Sequence, residues 1–167
     1  VGNDAYDAET LEEAMMTKEK RWYRFFTSTD TYDPDRFAYD RELIKRFYQR
    51  HGYMDFEIKS ASAEMSADKE SFYLTVVLDE GKRYRIGDVT VNSSLASVSA
   101  DDVKDAVTVS ENQWYNIDKL NDSVLALTNA VNDRGAPFVD VSYLLKKREN
   151  EPVADVVFDV KEGPHLF

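Results

Sequence analysis

The chain has 167 residues, 43% of them hydrophobic and 13% aromatic, enough apolar material for globular folding and against disorder. A formal net charge of −11 disfavours nucleic acid and anionic lipid as partners, because the long-range field repels both. The absence of cysteine excludes disulfides and thiolate chemistry, no apolar run approaches the roughly 18 residues of a membrane span, and no signal-peptide pattern opens the chain.

In chain order, Val1-Gly2-Asn3 reads as the tail of a strand, and Asp7 caps a short helix that runs through Met16. Trp22-Tyr23 and Phe25-Phe26 fall in the connection that follows, where they form either a peptide-binding aromatic patch or, as expected here, a plug over the core beyond the short helix. Asp33 with Pro34 opens a long helix, proline being tolerated at the first helical position. Phe37, Ile44, Phe47 and Tyr48 supply its apolar face, and Gly52 follows its end. His51 beside that glycine reads as a cap, since a cation at a helix C-terminus suits the dipole. Strands are expected at 56–65 and 72–79.

The same order then returns. Tyr32-Asp33-Pro34-Asp35-Arg36-Phe37 reappears 83 residues later as Tyr115-Asn116-Ile117-Asp118-Lys119-Leu120, and Gly52 reappears as Gly135. Glu80-Gly81 returns as Glu162-Gly163, one residue closer. A spacing of this size means one small domain used twice. In the second copy a strand over 84–91 alternates around a bulge at Gly87-Asp88. Ser99 with Asp102 caps a short helix through Val107. Ile117, Leu120, Val124, Leu127 and Val131 then line one face of a long helix, and strands follow at 139–146 and 154–161. The unit is therefore strand-helix-helix-strand-strand, two helices covering one face of a three-stranded sheet.

Alternation assigns the faces of the last strands. Phe72, Leu74, Val76 and Leu78, like Ala154, Val156, Phe158 and Val160, should lie beneath the helices. Tyr73, Thr75 and Val77, like Asp155, Val157 and Asp159, should face outward. The acidic pairs Asp33-Asp35, Asp101-Asp102 and Glu12-Glu13 fall in helix first turns or on solvated faces, where acids are common for dipole reasons. His165 has no companions at ligand spacing. No catalytic residue, cofactor or metal is expected.

Val1-Gly2-Asn3, Arg50-His51-Gly52-Tyr53-Met54-Asp55-Phe56 and Asp79-Glu80-Gly81-Lys82-Arg83-Tyr84 resemble the POTRA, or polypeptide-transport-associated, domains of outer-membrane protein assembly factors. Trp22-Tyr23 followed by Tyr32-Asp33-Pro34-Asp35-Arg36 resembles the third such unit, and the second copy the fourth. One departure is Gly135-Ala136-Pro137-Phe138 where the family has Gly-Tyr, Phe138 standing in for the tyrosine. The resemblance implies an α+β chain of two tandem β-α-α-β-β domains, each a three-stranded mixed sheet with two helices on one face. Residues 1–81 would be the first domain with its first strand truncated, 82–163 the second, and 164–167 the start of a following unit. It also implies a scaffold on the periplasmic face of the outer membrane of a Gram-negative bacterium. Its partners would be unfolded outer-membrane protein precursors, accessory lipoproteins, and further POTRA units and a membrane β-barrel in the same chain.

In such a sheet the third strand is central and the second lies at an edge, where unpaired backbone groups can receive another extended chain. That makes Phe56-Glu57-Ile58-Lys59-Ser60-Ala61-Ser62-Ala63-Glu64 and Val139-Asp140-Val141-Ser142-Tyr143-Leu144-Leu145 the expected client edges. Ala61, Ala63 and Met65 share the outward parity of the first edge beside Tyr73 and Val77, an apolar patch expected to dock an accessory protein. Gly81, Lys82 and Arg83 form the hinge, too short for a wide range of angles. The competing expectation is a rigid tandem spacer without client binding, as in adhesion or cell-division proteins. The small, uncharged Ser60-Ala61-Ser62-Ala63 speaks against it, since protected edges more often carry lysine or proline.

Overall fold

A computed structural model describes residues 24–27 and 33–164, without the side chains of residues 24–27 and Leu74. The expected strand tail at Val1-Gly2-Asn3, the short helix from Asp7 and the aromatic pair Trp22-Tyr23 lie outside the described residues. The chain divides into two compact units, residues 1–82 and 83–167.

The first unit contains β1 (Arg24–Thr27), α1 (Pro34–Arg50), β2 (Glu57–Met65) and β3 (Phe72–Asp79). Asp33 caps α1 with its side chain, accepting from the N–H groups of Asp35 and Arg36. At the other end His51 closes the helix twice: its N–H donates to Tyr48 O, and Nδ1 lies 2.6 Å from Phe47 O. Gly52 then takes φ +99°, a left-handed turn that needs glycine. Phe37, Ile44 and Tyr48 are buried on α1 against Phe56, Val76 and Leu78, and the rings of Tyr48 and Phe56 stack at 4.2 Å. Asp40 is also fully buried on this face, which the apolar pattern alone does not reveal.

The sheet order is β1-β3-β2, so the third strand is central. Phe25 and Phe26 lie on a strand and not in a loop connection: Arg24–Thr27 runs antiparallel to Phe72–Thr75. Among its described strands the first sheet is antiparallel, because β1 enters from the connection before α1 and meets β3 running the opposite way. Aromatic residues followed by threonine carry a high strand propensity.

The second unit contains β4 (Arg85–Ser93), α2 (Ala100–Val103) with a 3-10 turn over Lys104–Ala106, α3 (Ile117–Asn132), β5 (Val139–Lys147) and β6 (Val153–Glu162). Its sheet order is β4-β6-β5, parallel between β4 and β6 and antiparallel between β5 and β6. Asn116 repeats the capping of Asp33, accepting from Asp118 and Lys119 N–H, and Gly135 repeats the left-handed φ of Gly52 at +89°. At α2 the Asp102 carboxylate accepts from both the N–H and the hydroxyl of Ser99, which lowers its pKa. Leu120, Leu127 and Val131 of α3 are buried against Ala154, Val156, Phe158 and Val160, all on the face that alternation assigns to the core. Ser123 is buried among them and its Oγ accepts the N–H of Thr108, tying the segment after the short helix to α3.

Candidate peptide-binding edges

Both second strands are edge strands. Among the described residues, β2 pairs only with β3 and β5 only with β6, so each leaves one row of backbone N–H and C=O groups open. Phe56 does not belong to the first edge: it precedes β2 and is buried in the core. The ladder of β2 breaks between Ile58, opposite Leu78, and Ser60, opposite Val77, so Lys59 is an extra, bulged residue. Its ammonium bonds Glu57 at 2.7 Å, which raises its pKa. A charged residue at a bulge blunts this end of the strand. The far end is set by the hairpin turn, where Asp68 accepts from Ser66 Oγ and from Glu70 N–H, and Lys69 takes a left-handed φ of +61°.

The bulge also reverses parity beyond it. Ala61 lies opposite buried Val76, Ala63 opposite Leu74 and Met65 opposite Phe72, so these three share the helix-covered face, Met65 being exposed at the strand end. Ser60, Ser62 and Glu64 stand opposite Val77, Thr75 and Tyr73 on the open face. The expected patch of Ala61, Ala63, Met65, Tyr73 and Val77 is therefore not one surface: its strand-β2 half packs on the core and its β3 half does not. A break in alternation has no signature in the small residues Ser60 to Ala63, and the charge at Lys59 is the only local hint.

On the second edge, β5 keeps an unbroken ladder from Val139 opposite Glu162 to Lys147 opposite Ala154. Val139, Val141, Tyr143 and Leu145 are half-buried, and burial raises the Tyr143 pKa. Asp140, Ser142 and Leu144 lie on the open face, Leu144 being 56% exposed. At the hairpin end Arg148 gathers three carboxylates: Asp155 at 2.8 Å, Glu151 at 3.6 Å and Asp88 at 3.7 Å. Asp155 also accepts the N–H of Asp88, so the ion pair fastens the Gly87-Asp88 bulge of β4 to the β5–β6 hairpin. The guanidinium holds the Asp155 carboxyl below the usual carboxylate range. Nothing in the spacing of these residues announces the cluster. The sequence signal is only Gly87-Asp88 inside a strand.

At the expected hinge, Gly81 takes φ +68° and its N–H donates to Asp79, while the Arg83 guanidinium lies 3.8 Å from the centre of the Trp114 ring. No group of three or more His, Asp and Glu able to hold a metal occurs among the described residues, and no described helix is long and apolar enough to cross a membrane.

Both halves match known proteins. The POTRA family, described as a surface antigen variable number repeat, matches at residues 1–81 and 84–163. The outer membrane protein assembly factor BamA of Neorickettsia risticii is 30% identical over 140 residues, 84% of this chain and 19% of that protein. BamA of Neisseria meningitidis is 22% identical over 166 residues, 99% of this chain and 21% of that protein. The chain thus spans about a fifth of the length of these relatives. The crystal structure of Haemophilus influenzae BamA POTRA3-5 superposes with a TM-score of 0.79 at 18% identity, covering 98% of this chain and 63% of that one. With two copies of one capped-helix and edge-strand unit, each matched separately, the chain belongs to the POTRA family.

Proposed function

We propose that this chain is a polypeptide-binding scaffold of an outer-membrane β-barrel assembly machine, working on the periplasmic face of that membrane. Its relatives are named outer membrane protein assembly factors, and the open edges of β2 and β5 are the observation that carries the reading. Unfolded outer-membrane proteins would add as strands to these edges. Main-chain pairing reads extended shape and almost no sequence, which suits a varied pool of barrel precursors.

Magnitudes favour brief contact. Six backbone hydrogen bonds at about 0.5–1.5 kcal/mol each give roughly 3–9 kcal/mol. Association costs about 4–15 kcal/mol, so one edge holds a client weakly and capture draws on several units in series. An accessory lipoprotein would dock on the open face of the first sheet, at Tyr73 and Val77 flanked by Ser60 and Ser62. Further POTRA units and a membrane barrel in the same polypeptide would complete the machine.

The test is an amide NMR titration with an unfolded peptide taken from a barrel strand. Shifts concentrated along residues 57–65 or 139–147 are the expected result. Silence on both edges at millimolar peptide would overturn the client-binding reading in favour of a spacer.

A further inference from the structure

The second unit gathers two arginines on one exposed tryptophan. Tyr84 and Tyr115 are 8% and 2% exposed, and Tyr115 N–H donates to Tyr84 O. Ile86 N–H donates to Gln113 O and Asn112 N–H to Ile86 O, so residues 112–115 are tied to the start of β4, with an antiparallel bridge between Arg85 and Trp114. Bridge partners project to one side, and so do residues two apart along an extended chain. With Tyr84 turned inward, Arg83, Arg85 and Trp114 come together on the outer side. The guanidinium carbons of Arg83 and Arg85 lie 3.8 and 3.9 Å from the centre of the Trp114 ring.

Arg85 is held in place by a bond to Asn112 O at 2.7 Å. Among the described residues it meets no carboxylate, and Glu111, close by in sequence, forms no ion pair. Stacking uses the flat face of the Arg85 guanidinium and leaves its charge and most of its donors for another partner. The two like charges lie within about 8 Å of each other, about one Debye length, so both act on the same anion. On a chain of net charge −11 they make a local island of positive field. Trp114, 37% exposed, stands beside them as an apolar anchor. Tryptophan, tyrosine and arginine are the residues in which binding energy most often concentrates at protein interfaces.

We propose that Arg83, Trp114 and Arg85 form a docking point for an acidic segment of a protein partner. One or two carboxylates of that segment meet the arginines, and an apolar neighbour packs on the exposed part of the indole. The net charge of the chain repels a broadly acidic surface, an anionic membrane included. The partner therefore offers a short acidic stretch flanked by apolar or neutral residues. This docking point shares no residue with β2 or β5 and does not rest on client binding.

The probe is a capped peptide carrying two adjacent aspartates between leucines, with a twin that has asparagine at both places. Each is titrated into the isotope-labelled chain while the Trp114 indole N–H signal is followed, told from that of Trp22 by its loss in Trp114→Phe. The expected result is a saturable shift of that signal and of the Arg85 amide with the aspartate peptide, and binding at least fivefold weaker with its twin. Raising salt from about 50 to about 500 mM should weaken the first and spare the second. Arg85→Gln should weaken the aspartate peptide roughly threefold to fivefold, the worth of one exposed ion pair, and Arg83→Gln should act in the same direction. Should Arg85→Gln loosen residues 112–115, the twin peptide and the salt series on the native chain still decide. Equal binding of the two peptides, or a still indole signal at millimolar aspartate peptide, would overturn the proposal. So would a shift produced by vesicles of anionic phospholipid and by neither peptide, which would assign the cluster to a membrane surface.

Discussion

At the scale of single residues, the sharpest constraint is Gly87. A Cβ there would sit 2.2 Å from Asp155 Oδ1 and 2.8 Å from Val153 Cγ1, so the ion pair that fastens the bulge requires a residue without a side chain. Gly87→Ala should cost about 1–3 kcal/mol, the usual range for overpacking, seen as a lower urea midpoint. Asp155 sets a pH dependence of known sign. Its carboxyl titrates lower in the folded chain than the 3.8 of a free aspartate, first because Arg148 hydrogen-bonds it and then because Asp88 N–H does. The stabilisation is complete above the unfolded value and is lost as pH falls through the folded one. Urea midpoints measured from about pH 5 to pH 2 should therefore fall less steeply for Asp155→Asn than for the native chain.

At the scale of elements, helix α3 and strand β2 show why one was legible and the other was not. The five apolar residues of α3, with Asn116 before and Gly135 after, announce a helix, and Leu120 and Leu127 are completely buried. Leu120→Ala should cost about 2–5 kcal/mol by the same measurement. Both long helices and the inner faces of β3 and β6 follow equally from periodicity and caps, whereas the sheet order follows from the family resemblance. Strand β2 hides its geometry because Ser60, Ala61, Ser62 and Ala63 carry no contrast by which a phase can be read, and one extra residue at Lys59 inverts everything after it. A pair of charge insertions separates the two phases. Ala61→Glu places a carboxylate on the core face and should lower stability by about 1–3 kcal/mol. Ser62→Glu, on the open face, should stay within about 0.5 kcal/mol. The opposite ranking would restore the unbroken phase. Strand β1 was illegible for another reason: its aromatic residues suit a strand and a plug equally, and pairing with β3 is a long-range choice that no local window contains.

At the scale of the whole chain, each unit carries its own core, Tyr48 and Phe56 with Val76 in one, Leu120 and Leu127 with Val156 and Phe158 in the other. A core lesion should therefore stay local. In Leu127→Ala, amide exchange should quicken across 117–162 while Val76 and Leu78 keep their native protection, and a uniform loss of protection would contradict the independence of the cores.

The bulge at Lys59 has a further meaning for a guest strand. A visitor on β2 finds an uninterrupted rail only from Ser60 to Met65, whereas β5 offers one from Val139 to Lys147. A membrane-barrel strand of about 9–11 residues overhangs the first rail by several residues and fills the second. Under the proposed function the two units are then unequal hands, a loose grip on β2 and a longer hold on β5.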